Sequence, residues 1–390
     1  MKRILSFGLY CAAIFSVCAC SGGSSNNPPP APVPVVPTAL SVSGVVAADG
    51  VFDPSPRNDG SSKLWMSYSA VAWSPNDPGI LSQVRTRLAT SEDGGATWSD
   101  LGVDPNNMAD ADFAASAVAP ATGIMWVTWR FEVSSLLYDP YDSDSSRRWK
   151  MLWHRYPAAD NNGVLTRVIQ KGWIGMSSAP APGGPWSAER NLFTGSWYDH
   201  SVDVIISAPE YPLDTLYPAA GQLSGCAAFT EPSMLAKPEG IYISLQCAGS
   251  PAKIIGLKCD RPFSSCTYLG DFLTESEAPQ FNQGSQQLNG FAATEMVSVG
   301  SKDYLVVTPY EPPQDRYRGC LVFEISNLAT ATLVRSNGAP VIAKRISGTS
   351  GSFNGACGYD TSASASGIIY SEYNSAAPHF RLYASHVHLP

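Results

Sequence analysis

Five segments of this chain repeat one plan, and an internal repeat constrains a fold more tightly than any composition. The first, "VFDPSPRNDGSSKLWMSYSA" (51–70), opens with Asp53 in a short strand, turns through a polar Gly loop and returns as an aromatic-rich strand. The same order recurs in "FEVSSLLYDPYDSDSSRRWKMLWHRY" (131–156), "FTEPSMLAKPEGIYISLQC" (229–247), "ATEMVSVGSKDYLVVTPYE" (293–311) and "GYDTSASASGIIYSEY" (358–373). These hairpins are headed by Glu132, Glu231, Glu295 and Asp360. Second hairpins follow: "VRTRLATSEDGGATWSD", "GWIGMSSAPAPGGPWSAERNLF" and, more loosely, "KIIGLKCDRPFSSCTYLGDFL". A unit is therefore four antiparallel strands. Five units predict an all-β, five-bladed β-propeller of four-stranded antiparallel blades. A β-sandwich would not account for a fivefold acid–strand–turn–strand order.

The amino terminus has a different chemistry. "MKRILSFGLYCAAIFSVCAC" is two cations, an apolar run too short to span a bilayer, and Ala19-Cys20, the pattern of an export signal. Its last four residues resemble a bacterial lipobox. That resemblance makes residues 1–19 a signal peptide and Cys20 the lipidated first residue of the mature chain. Ser21 after the cysteine points to the outer membrane of a Gram-negative envelope. Residues 20–44, rich in Gly, Ser and Pro, read as an extended tether, and 45–390 as the propeller. Membrane contact is expected through the lipid only, and the domain as a monomer.

Only 15% of residues are charged and the net charge is −8, which argues against a nucleic-acid partner and its basic face. Beyond Cys20 six cysteines remain, an even number in an exported chain. Cys226 and Cys247 lie symmetrically about a turn, Cys259 and Cys266 flank another, and Cys320 and Cys357 are left over. Symmetry favours those three pairs, although fifteen connectivities are formally open.

"SEDGGATW" (91–98) resembles the Asp-box of sialidases and other propellers, a turn in which Asp93 accepts backbone N–H bonds, Gly95 takes a positive φ and Trp98 packs inward. It sits on outer turns and speaks to fold, not to chemistry. The chemistry is expected on the axis, where the five acids would ring one pocket. Crowded carboxylates repel, their pKa values split, and a split pair is what glycoside hydrolysis requires.

At "FDPSP" and "TEPSML" the chain resembles the five-bladed glycoside hydrolases of the arabinanase and xylosidase group. The resemblance implies Asp53 as base or nucleophile, Glu231 as general acid and Glu132 as the acid that tunes them, acting on a poly- or oligosaccharide. Glu295 and Asp360 are then substrate or structural contacts. The departures are a Glu at 132 where the group carries Asp, and no Gly after Glu231. Arg57, Arg130, His154 and Tyr359 are further candidate substrate contacts; Arg57, Arg130, Arg155 and Tyr359 allow an alternative exo-sialidase reading by fold analogy, and His154 and His200 are isolated in the sequence. Trp126, Trp129 and Trp197 could offer flat faces to sugar rings. No zinc spacing, phosphate loop or nucleophile elbow is present. No cofactor is expected, although an axial calcium ion is compatible with the architecture. Two further alternatives are a non-catalytic glycan- or protein-binding propeller and a purely structural surface lipoprotein.

Overall fold

In the computed structural model the described residues are 36–45, 47, 49–73, 82–105, 125–161, 164–167, 169, 172–194, 211–212, 223, 226–312, 316–348, 354–374 and 378–390. The leader, Cys20 and most of the tether lie outside them. Four-stranded antiparallel sheets succeed one another along the chain. Blade 1 is Gly50–Asn58, Leu64–Trp73, Ser82–Ser91 and Trp98–Asp100. Blade 2 is Met125–Tyr138, Trp149–Asn161, Trp173–Ala179 and Arg190–Thr194. Blade 3 is Cys226–Lys237, Gly240–Gly249, Lys253–Cys259 and Cys266–Thr274. Blade 4 is Gly290–Val299, Lys302–Glu311, Cys320–Asn327 and Ile342–Ile346.

Blade 5 takes Asn354–Gly358, Ile369–Tyr373 and Phe380–Ala384 from the carboxyl end and Thr38–Leu40 from the amino end. Thr38 pairs with Ala384 and Leu40 with Leu382. This strand fastens the two ends of the ring together, and it lies ahead of the boundary expected at 45. Each inner strand packs on the next and the fifth on the first, so the fold is a closed five-bladed propeller.

Apolar clusters lie between every pair of neighbouring blades. Leu88 meets Trp149 and Trp153 between blades 1 and 2, and Met176 and Phe193 meet Phe229 and Ile243 between blades 2 and 3. Ile254 meets Phe291 and Phe323 between blades 3 and 4. Val306 and Val322 meet Tyr370 between blades 4 and 5, and Met66 and Trp98 meet Ile369 and Leu382 between blades 5 and 1. A blade buried on both faces needs apolar side chains at successive positions, as "LWMSYS" and "YLVVTPY" supply.

The three cysteine pairs favoured by hairpin symmetry are the disulfides present. Cys226–Cys247 and Cys259–Cys266 lie within blade 3, and Cys320–Cys357 ties blade 4 to the inner strand of blade 5. The Ser91–Trp98 turn is organised by Asp93, which accepts from the Thr97 N–H and hydroxyl. Gly95 has φ 89°, and buried Trp98 donates to the Gly95 carbonyl.

Candidate active site

Every inner strand breaks its register at one equivalent point, where one residue is left-handed: Asp53, Val133, Glu231, Ala293 and Ala356 (φ 53°, 50°, 56°, 41° and 49°). A left-handed non-glycine residue costs about 1–2 kcal/mol, yet the bulge recurs in all five blades. It turns two residues per strand out of the ladder toward the axis. Four of these pairs, Asp53-Pro54, Val133-Ser134, Ala293-Thr294 and Ala356-Cys357, together with Glu295, line a cavity of about 10 Å³, room for roughly one water.

The bulge supplies the true alignment of the repeats and corrects the one drawn from the acids. Asp53 and Glu231 are equivalent, both left-handed and both followed by Pro-Ser. Glu132 stands one residue before its blade's bulge position, Glu295 two after and Asp360 four after. Five acids at one level are therefore not what the fold builds. Three converge; Glu295 lies further along its strand and Asp360 beyond the end of its own.

Asp53 Oδ2 accepts from Ser69 Oγ at 3.1 Å and from the Val133 N–H at 3.2 Å. Burial pushes its carboxyl well above the usual range, and the neighbouring charges of Glu132 and Glu231 push in the same direction. Glu231 is buried between the Ala293 N–H, on Oε2, and the Tyr317 hydroxyl, 2.8 Å from Oε1. Burial raises it to about 7; the two donors pull the other way, and Glu132 adds to the rise. Glu132 is itself buried, with Arg130 Nη2 at 4.0 Å. The charge of Glu231 that raises Asp53 vanishes while Glu231 holds a proton, so the cluster titrates as a whole. A single proton held by either Asp53 or Glu231 relieves the repulsion between them.

Below the acids the axis is closed by an ion pair. Arg57 donates to the carbonyls of Pro56 (2.7 Å), Tyr359 (3.2 Å), Met296 (3.1 Å) and Met234 (3.5 Å), which belong to four different blades. Only a guanidinium at their common centre can do this. It pairs with Glu295, whose other oxygen accepts from Ser55 and Ser233. Burial still raises Glu295 to about 7, Arg57 opposing. Arg57 is thus an axial plug and not the open substrate contact expected from its place in the sequence. Serines at this position of blades 1, 2 and 3 staple the blades: Leu136 N–H donates to Ser55, Met234 N–H to Ser135 and Met296 N–H to Ser233. In blade 5 the equivalent residue is Gly358, where a Cβ would collide with the Pro54 carbonyl. The N–H it would have served belongs to Pro56, which has none.

The remaining candidates scatter. Asp360 caps a turn, accepting from the Asn58 and Ser362 N–H groups. Tyr359 is buried in the cluster between blades 4 and 5, its hydroxyl bonded to the Leu389 backbone. His154, the strand partner of Glu132, is buried against Tyr156, and burial holds its imidazole down near 3, hence neutral. Arg155 lies between Trp129 and Trp173 and pairs with Glu189, so Trp129 packs the blade 1–2 cluster and presents no open face. With Arg57 on the axis and Arg155 held in blade 2, the arginines do not form the triad a sialidase reading needs. His200, Trp197 and the Trp126 side chain fall outside the described residues. Among the described residues no group of three His, Cys, Asp or Glu side chains is arranged to hold a metal ion. Tyr317, in the loop between the second and third strands of blade 4, carries no signal in the sequence because nothing near it repeats.

No protein-family model and no curated protein matches this sequence. Among solved structures, an endo-arabinanase of glycoside hydrolase family 43 from Bacillus licheniformis superposes with a TM-score of 0.48 at 13% identity, over 88% of this chain and 94% of that one. The native Bacillus subtilis arabinanase gives 0.47 at 12%, over 89% and 96%. An exo-beta-1,3-galactanase from Phanerochaete chrysosporium gives 0.46 at 12%, over 90% and 63%. The chemical reading therefore rests on the geometry of the acids.

Proposed function

We propose that this protein is a lipid-anchored glycoside hydrolase of the cell envelope, acting on a poly- or oligosaccharide. The observation that carries the proposal is the pairing of Asp53 and Glu231 at one bulge position of blades 1 and 3, with Glu132 between them in sequence and beside both in charge. In this reading Glu231, raised to about 7 by burial, protonates the leaving glycosidic oxygen. Asp53, its Oδ2 held by Ser69 and the Val133 N–H, attacks carbon or activates water. Glu132 keeps the proton on Glu231 by its charge. The envelope location rests on the leader and on Cys20.

The test is product release from arabinans, xylans, fructans and sialylated glycans by residues 38–390 and by its Glu231→Gln variant. Loss of release in the variant supports the hydrolase. Release by neither, with glycan binding kept by both, replaces it with a binding propeller.

A further inference from the structure

We propose that Tyr317 is the positioning residue of this site: its hydroxyl holds the Glu231 carboxyl in place and sets the pH at which that group gives up its proton. The proposal rests on the hydrolase reading for its kinetic consequences but not for its geometry.

Tyr317 belongs to the short strand Arg316–Tyr317, which folds back on Tyr310 and Glu311 at the end of blade 4's second strand. From there its ring reaches over the inner strand of blade 5. The seat is built for it. Gly355, immediately before the bulge residue of blade 5, would place a Cβ 3.2 Å from the Tyr317 Cβ and in collision with Thr308 Cγ2. The equivalent positions of blades 1 and 2 carry Phe52 and Glu132. Blade 5 thus omits a side chain where Tyr317 lies. The loop is pinned on both sides of its closing turn, by the Arg318 N–H on the Pro309 carbonyl and the Gly319 N–H on the Asn354 carbonyl. The Arg318 guanidinium pairs with Glu311.

The hydroxyl ends 2.8 Å from Glu231 Oε1, and the charges of Asp53 and Glu132 also reach it. Burial and these three acids push the phenol well above its usual range, so it stays a neutral donor wherever the acids titrate. A donor to a carboxylate favours the ionised form. Glu231 is also faced by the Ala293 N–H, by Glu132, by Asp53 and by buried Tyr310, and of these groups Tyr317 alone comes from a loop outside the inner strands and their direct partners. With the Ala293 N–H on the other oxygen, the carboxyl is gripped at both ends, which fixes the direction in which its proton points.

The experiment compares wild type with Tyr317→Phe by 13C titration of glutamate carboxyl groups, Glu231 being assigned by its loss in Glu231→Gln, alongside pH–rate profiles on whichever glycan is cleaved. The Phe variant is expected to raise the Glu231 midpoint by about one pH unit. The alkaline limb of kcat/KM should move by the same amount, with kcat falling about tenfold and KM little changed. Gly355→Ala, which crowds Thr308 and the Tyr317 Cβ without removing the hydroxyl, should move the midpoint in the same direction by less. An unmoved midpoint in a folded Tyr317→Phe protein overturns the proposal, as does a change in KM alone. The titration stands without turnover, so an inactive wild type would refute the hydrolase and leave the role of Tyr317 to the midpoint.

Discussion

Replacing Glu231 by Gln should make the folded protein more stable at pH 8 and less so, or no different, at pH 5. A glutamate carboxyl raised from 4.5 to about 7 by burial stays protonated in the folded chain across a window in which the unfolded chain has released its proton. Folding stability therefore falls as pH rises from about 4.5 through about 7, by about 1.4 kcal/mol for each pH unit that separates the folded and unfolded midpoints. For Glu231 the loss is about 3 kcal/mol, complete above pH 8. Gln has no proton to lose. It can still accept the Ala293 N–H, and the Tyr317 hydroxyl can turn to accept from the amide, at a cost of about 1 kcal/mol for exchanging charged for neutral bonds. The expected net gain at pH 8 is about 1–2 kcal/mol, reversing sign near pH 5. Urea unfolding of both proteins at half-unit steps from pH 5 to 8.5 measures this. Glu295 contributes a slope of the same sign to both proteins, whereas Asp53, raised in part by the charge of Glu231, contributes less in the variant, so the difference between the curves reports Glu231 together with its coupling to Asp53. Parallel curves across the window would refute the reasoning, because they would mean that Glu231 ionises in the folded chain as it does in water.

Two further outcomes follow from the axis and from the ring closure. Arg57→Met should destabilise by about 3–5 kcal/mol, since it leaves Glu295 buried without its partner, and Arg57→Met/Glu295→Met should recover much of that loss; equal stability of single and double variants in urea would count against the plug. A chain starting at 45, which lacks the Thr38–Leu40 strand on Phe380–Ala384, should unfold at lower urea than one starting at 38; coincident midpoints would show that the strand does not help to close the ring.

Much of the architecture was legible because it is local. Each hairpin joins residues a few positions apart, so alternation, Gly turns and the acid heading each unit were enough to count blades and to pair Cys226 with Cys247 and Cys259 with Cys266. Asp53-Pro-Ser and Glu231-Pro-Ser even mark the two equivalent acids, because their shared pattern is written in adjacent residues. The level of every other acid was not legible. A bulge shifts register by residues that no hydrophobic pattern records, and an offset of two sends Glu295 to the axial plug while Glu132 stays with the trio.

What the amino-acid sequence determined by itself is the repeat: how many blades, which strands are neighbours, and that two acids head them in the same way. What only the tertiary structure decided is the axis. There Arg57 meets carbonyls from residues as far apart as Pro56 and Tyr359, and Tyr317 meets an acid 86 positions away. Such contacts are set by ring closure and by the space left at Gly355 and Gly358, and neither is expressed in the order of neighbouring residues.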